Sequence, residues 1–434
     1  MTFMKKNLAG ATALVGVAFS GQIATGAEMS KPPLFNPHAA YVGESASVIG
    51  GGLQRGTDYA GQGVLGVDID SGAWTGAETP VLHVTATQRH GADASHKLVG
   101  NAISAQEVYG GGDTYRLAEF YVTQKFGGDL VSIAIGRMAG TPDFAQLPVY
   151  CGNFQSNSVC PGSPVYATNT NKTFFPGSSW AAKLRVNLAP EWFVQGAILD
   201  VDAKQSQPSH HGLDFTTNHS SGAVTPVELG YAPNQGQDPV PSLYKVGFFH
   251  DGSTYSDPSR DANGGYSILT GLPEKTERGR SGAYILFDQT VWRAAETPSK
   301  TVVVFAGAGQ SLSGRTIQRG YGQLGILATG PFAARPDDTL GFAVTSEVFS
   351  HAAIQSMIVA RAAKGVTLSP PKTETVLELN YGFRVNKALK ITPNLQYIIN
   401  PDSLSDPIRI KNTENAVIAG FMFSCDMTSI FHQR

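Results

Sequence analysis

The feature that most constrains this chain is an alternation of apolar and polar residues that recurs along most of its length. In 180–188, Trp180, Ala182, Leu184, Val186 and Leu188 stand against Ala181, Lys183, Arg185 and Asn187. In 377–385, Leu377, Leu379, Tyr381, Phe383 and Val385 alternate with Glu378, Asn380, Gly382 and Arg384. The segments 389–397 and 339–348 repeat the pattern. A period of two puts all the apolar side chains of a strand on one face, so each segment reads as a β-strand set against an apolar medium.

Tight turns test that assignment. Gly127-Gly128 suits a two-residue hairpin loop, whose backbone needs positive φ. Pairing Phe126 with Asp129 brings Ala118, Phe120 and Val122 onto the same face as Ile133 and Ile135. The loops at 189–191 and 386–388 also join apolar faces in register, as they must when one face is committed to burial.

Fifteen such segments are expected, near 43–53, 62–70, 79–89, 115–126, 130–138, 179–188, 191–201, 241–250, 280–293, 300–312, 320–330, 338–350, 373–386, 388–400 and 414–427. Most have about the ten residues that a tilted strand needs to cross a bilayer, and short and long connections alternate. The short turns at 127–128, 189–191 and 386–388 belong on one side. With fifteen strands the last falls on the wrong side, and one further strand inside 251–279 repairs it. Gly264 to Leu272, with Tyr266 and Ile268, is the candidate. The expected fold is all-β: a transmembrane antiparallel barrel of sixteen strands whose loop 139–178 folds inward as a constriction.

Composition agrees with a wall that has lipid on one side. Only 15% of the 434 residues are charged, against about 25% in soluble domains. A soluble sandwich would carry Lys and Glu on its outer face, and a β-helix would show a short fixed repeat; neither is present. A net charge of −2 argues against nucleic acid as a partner. The N-terminus reads as a secretory signal: Lys5 and Lys6, an apolar run from Leu8 to Phe19, then small residues to Ala27. The expected organisation is a signal peptide at 1–27 and one barrel domain at 28–434, in the outer membrane of a Gram-negative bacterium. In an oxidising compartment, Cys151 and Cys160 suit a loop disulfide, while Cys425 reads as a small apolar residue.

If apolar positions face lipid, the others face the lumen. These include Arg89, Lys125, Lys183, Arg185, Lys245, Arg384 and Lys390, together with Asp68, Asp70, Glu119, Asp288, Glu347 and Glu378. Rings of one sign select ions, whereas a mixed lining suits a neutral, hydroxyl-rich solute.

The chain resembles the OprB-type carbohydrate-selective porins across almost its whole mature length. The resemblance is carried by Gly50-Gly51-Gly52-Leu53-Gln54-Arg55, Gln106-Glu107, Tyr109-Gly110-Gly111 and Tyr115-Arg116-Leu117-Ala118-Glu119. It continues through Ile135-Gly136-Arg137, Asp143-Phe144 and Tyr150-Cys151-Gly152-Asn153-Phe154-Gln155-Ser156-Asn157. Cys160 to Pro164, Trp180 and 392–401 complete it. It implies passive diffusion of glucose-like sugars and polyols through a constriction of arginine, acidic and aromatic side chains. Arg116, Glu119, Arg137 and Trp180 are the residues carried over, with Lys183, Arg185, Glu378 and Arg384 lining the lumen beside them. Strict alternation puts Arg137 and Trp180 on the lipid-facing set, so Arg137 is expected at the rim or turned inward, and Trp180 reads equally as an interfacial aromatic. The C-terminal Phe431-His432-Gln433-Arg434 departs from the aromatic ending usual in such barrels.

Two alternatives stand beside this reading: a barrel enzyme, which needs a Ser/His/Asp set at one rim, and a general porin without sugar selectivity. Enzyme motifs are poor, since Gly320-Tyr321-Gly322-Gln323-Leu324-Gly325 sits in an alternating strand with no helix after it. No cofactor or metal is called for. Expected partners are small sugars, outer-membrane lipid and the barrel-assembly machinery, with homo-oligomers allowed.

Overall fold

The computed structural model describes residues 34–429 apart from 76–77, 102, 141–142, 161, 234–239, 296, 298, 402–403 and 405. The expected signal peptide and the residues Phe431 to Arg434 lie outside the described residues. Sixteen antiparallel strands close into one barrel, each paired with its sequence neighbours and the last with the first. They are β1 (Phe35–Gly52), β2 (Gly56–Asp70), β3 (Val81–Gly91), β4 (Thr114–Phe126), β5 (Val131–Met138), β6 (Ser179–Asn187), β7 (Trp192–Asp202) and β8 (Ser220–Tyr231). They continue as β9 (Ser242–Asp261), β10 (Glu274–Arg293), β11 (Thr301–Ser313), β12 (Gln318–Thr329), β13 (Thr339–Phe349), β14 (Thr373–Arg384), β15 (Leu389–Ile399) and β16 (Glu414–Asp426).

The two faces of the wall follow the alternation. Ile135, Leu184, Ile198, Val246, Ile285, Leu324, Leu379 and Leu395 all stand exposed on the outside. Their neighbours in sequence, such as Ala134, Gln323, Glu378 and Asn394, are buried on the inside. Gly127 and Gly128 adopt φ +64° and +73°, but the loop that joins β4 to β5 has four residues, 127–130. Phe126 pairs with Val131 instead of Asp129, so the register lies two residues from the expected one, an even shift that keeps the apolar faces matched. The connections after β4, β6 and β14 all lie at the same end of the barrel.

The sixteenth strand is not where alternation placed it. It is β8, and Gly264 to Leu272 instead caps the long β9–β10 hairpin with a helical turn, Ser267–Thr270. There the Asp261 carboxylate gathers the backbone N–H groups of Asn263 and Gly265 and the Thr270 hydroxyl, and Gly264 and Gly271 take positive φ. β8 is hard to see because Pro226 gives the ladder no N–H. Its pairing with β7 runs to Gly196↔Val227 and resumes at Leu199↔Val224.

Two long connections at the other end pack on the inner wall. Residues of 139–178, among them Phe144, Tyr150, Phe154 and Tyr166, form one buried cluster with Phe249, Tyr284, Phe305 and Tyr321 from the insides of β9 to β12. Residues of 92–113 pack on the inside of β1, β14, β15 and β16 through Ala94, Leu98, Val99 and Ala105.

Candidate pore constriction

Buried carboxylates hold these connections by their backbones. Glu378 on β14 accepts the N–H groups of Gln155 (2.9 Å) and Ser156 (2.8 Å) and the Asn380 amide (3.1 Å). Across the barrel, Glu228 on β8 accepts Ala145 N–H (2.7 Å), Gln195 (2.7 Å) and Tyr284 (2.9 Å), and pairs with Lys245 at 3.1 Å. Glu44 on β1 accepts Val108 N–H at 3.1 Å, while Gln106 donates to the Glu44 carbonyl at 2.9 Å. Asn157 N–H then donates to Ser104 O at 2.9 Å, joining the two connections to each other. Buried N–H groups without partners would each cost about 1–3 kcal/mol, so these bonds fix where both segments lie.

Between them is a cavity of about 420 Å³. Arg89, Glu107, Tyr109, Lys172, Phe174 and the Cys151–Cys160 disulfide are among its lining groups. Arg89 reaches in from β3, with Nε on Gln62 Oε1 (2.6 Å) and Nη1 on Gly110 O (2.8 Å). Arg116 on β4 places Nη2 on Gly111 O at 3.0 Å. Its Nε and Nη1 are buried without a partner among the described residues, although the side chain is only 2% exposed. Gly110, Gly111 and Gly112 all take positive φ, a bend open to glycine alone in such a run, and it turns two carbonyls toward the arginines.

Glu107 follows the Gln106 anchor. Its Oε2 lies 2.8 Å from Cys160 Sγ, and a disulfide sulfur has no proton to donate. Burial pushes its carboxyl up to about 7, although Arg89 pulls it down. The same three residues cannot form a metal site, because both sulfurs are spent in the disulfide. Lys172 Nζ donates to Tyr166 O (2.8 Å) and Thr170 Oγ1 (3.1 Å) and lies over the rings of Tyr166 and Phe174 at 3.8 and 4.3 Å. Burial holds its ammonium well below the usual lysine range. Tyr109 and Phe174 keep 42% and 39% of their surface open, so both rings face the cavity.

The residues expected from sequence divide into three groups. Arg116 and Glu119 both face inward, although their positions differ by an odd number. A register shift opposite Thr85 and Ala86 inserts one extra residue in β4, so Arg116 pairs with Thr87 and Glu119 with Thr85 on one face. Lys183 and Arg185 line the inside of β6, with Lys183 paired to Asp143 at 2.6 Å and the Arg185 guanidinium 3.7 Å from the Phe193 ring centre. Glu378 is an anchor of the inner segment, and Arg384 sits at the short-turn end, its N–H on Asp338 Oδ1 at 2.9 Å. Arg137 and Trp180 are the correction. They pair with each other on the outer face, in line with Ile135 and Leu184, and Phe215 from the connection 203–219 folds over them. Trp180 donates to Phe215 O at 2.9 Å, and Arg137 donates to Ser178 O at 2.8 Å and to Asp214 O. Neither lines the cavity; Gly136, at φ +145°, departs from regular strand geometry just before Arg137, whose Nη groups are taken by backbone carbonyls. Arg89 and Glu107 were legible, one as a lumen position and one inside a shared motif, while Tyr109, Lys172 and Phe174 carried no periodic signal.

Comparison with known proteins agrees with this geometry. The profile of the carbohydrate-selective porin, OprB family, matches residues 54–426. The chain belongs to the OprB family of carbohydrate-selective porins. It is 29% identical over 399 residues to Porin B of Pseudomonas aeruginosa, covering 88% of this chain and 85% of that one. It is 25% identical over 404 residues to the putative porin QuiX of Acinetobacter baylyi, covering 88% and 87%. The high-pH structure of Pseudomonas putida OprB superposes with a TM-score of 0.81 at 26% identity, covering 91% of this chain and 94% of that one. This OprB-family barrel is therefore an outer-membrane porin for carbohydrates.

Proposed function

We propose that glucose-sized neutral sugars and polyols cross through the cavity between the two inner segments, and that Arg89, Arg116 and Glu107 are its polar contacts. The observation that carries this is the pair of unpartnered Arg116 nitrogens, on a guanidinium whose third nitrogen donates to the cavity-lining Gly111. A guanidinium so placed exchanges its missing bonds for sugar hydroxyls, with Glu107 accepting on the other side. Tyr109 and Phe174 offer apolar ring faces to the C–H face of a pyranose. Glu119, Lys183 and Arg185 continue the polar lining toward the short-turn end. Because opposite charges are interleaved there, a neutral solute meets donors and acceptors without a net field to oppose it. Export by a signal peptide ending at Ala27 supplies the periplasmic route that a barrel of this kind needs.

Catalysis is the reading this proposal displaces. His250 Nδ1 lies 2.9 Å from Ser281 Oγ on the outer wall. Among the described residues, no carboxylate hydrogen-bonds its other ring nitrogen, so nothing orients the imidazole as a base. Liposome swelling tests the proposal. Vesicles carrying the porin should swell fastest in monosaccharides and slowly in trisaccharides. Equal rates for sugars and size-matched amino acids would instead favour a general porin.

A further inference from the structure

Lys172 is a buried amine on the cavity wall, 4% exposed, and among the described residues no carboxylate is bonded to it. The acid it faces is Asp251 on β9, and that charge is already taken. Arg280 on β10 holds Asp251 Oδ2 through Nε (3.1 Å) and Nη2 (3.0 Å), and the Asn171 N–H adds a bond of 2.9 Å. Ser253 donates twice to the other oxygen. Asp202 on β7, also on the cavity wall, accepts the N–H groups of Lys204 and His219. Arg89 and Glu107 stand on the same wall.

The bonds of Lys172 fit an amine better than an ammonium. Nζ has two acceptors, Tyr166 O at 2.8 Å and Thr170 Oγ1 at 3.1 Å. A neutral amine has two hydrogens and a lone pair, so both hydrogens are spent and the lone pair is left over. An ammonium carries a third N–H, and no third acceptor is bonded to it among the described residues. The rings of Tyr166 and Phe174, at 3.8 and 4.3 Å, return part of the cost of a charge there. Burial opposes the charge most, Asp251 favours it and Arg280 opposes it, and the balance lies well below the usual lysine range.

A desolvated amine beside a second cation is the arrangement that turns lysine into a nucleophile for carbonyl carbon. We propose that Lys172 captures aldehydes in the constriction, small hydroxyaldehydes and open-chain aldoses alike. The Nζ lone pair bonds to the carbonyl carbon, a C=N bond forms, and the carbonyl oxygen leaves as water with the two amine hydrogens. Nothing is oxidised or reduced, and water reverses the step. For aldoses the inference rests on the sugar path proposed above; for smaller aldehydes it needs only the cavity.

The full porin in detergent, treated with glycolaldehyde and cyanoborohydride, tests this. Hydride from the reagent fixes each C=N bond as a hydroxyethylamine, which peptide mass spectrometry locates. At pH 7, Lys172 should be labelled at least about tenfold faster than the exposed Lys387 and Lys411. That ratio should fall by about tenfold per unit toward pH 9, because ordinary lysines gain free amine with pH and Lys172 already holds it. Lys172→Arg keeps the cation and should lose the adduct; the pH ratio is read on the wild type and stands without that variant. Glucose and methyl glucoside separate this inference from the sugar path. Only glucose carries an aldehyde, so with cyanoborohydride it alone should leave a lasting fall in current, while both block reversibly. Labelling in order of exposure, or a ratio unchanged with pH, would overturn the inference, and a current fully restored after glucose would overturn it for aldoses. Loss of the reversible block with Lys172 still labelled by glycolaldehyde would contradict the sugar path and uphold the nucleophile.

Discussion

At the scale of single residues, the constriction depends on charges held almost without water. Glu107 loses its proton only around pH 7 because burial opposes the charge. Below that pH it is neutral and the arginines dominate; above it, a negative charge joins them. Reversal potentials in a salt gradient should therefore shift toward cation preference between about pH 6 and about pH 8. Glu107→Gln should flatten that shift. Arg116→Ala removes a charge-assisted donor worth about 1.5–3 kcal/mol, so the sugar concentration that half-blocks the current should rise by about tenfold or more. A titration of current against glucose measures it. Neither residue could be placed by alternation alone. Arg116 sits at a position that period two assigns to lipid, and only the extra residue in β4 turns it inward. Arg137 and Trp180 show the opposite case: alternation assigns both to the outer set, and there they pair with each other beneath Phe215.

At the scale of elements, the inner segments are held by carboxylates on facing strands. Glu378→Ala would strand the N–H groups of Gln155 and Ser156, at a cost of about 2–4 kcal/mol. The expected result is larger, noisier single-channel conductance with weakened sugar block, while the barrel still assembles. Conductance identical to wild type would show that the segment keeps its place without Glu378. Among strands, those with long unbroken alternation were legible, and β8 was not. Gly222, Pro226 and Gly230 interrupt its pattern, yet it carries the Glu228 anchor. The short turns required a further strand, and that requirement was sound. Its location was not legible, because polar and glycine-rich sequence on either side of β9 resembles both strand and turn.

At the scale of the whole molecule, low charge and alternation have one cause: a closed wall with lipid outside and water within. Leu379 and Leu395 project from adjacent strands into the apolar band. Leu379→Arg should destabilise the assembled barrel by about 2–4 kcal/mol, read from urea unfolding in lipid vesicles. The central claim is that this wall encloses a path for sugar past Arg89, Arg116 and Glu107. Planar bilayers test it most directly. Purified porin should conduct in salt solution, and the current should fall saturably as glucose is added. No conductance, or a current indifferent to glucose, would contradict it.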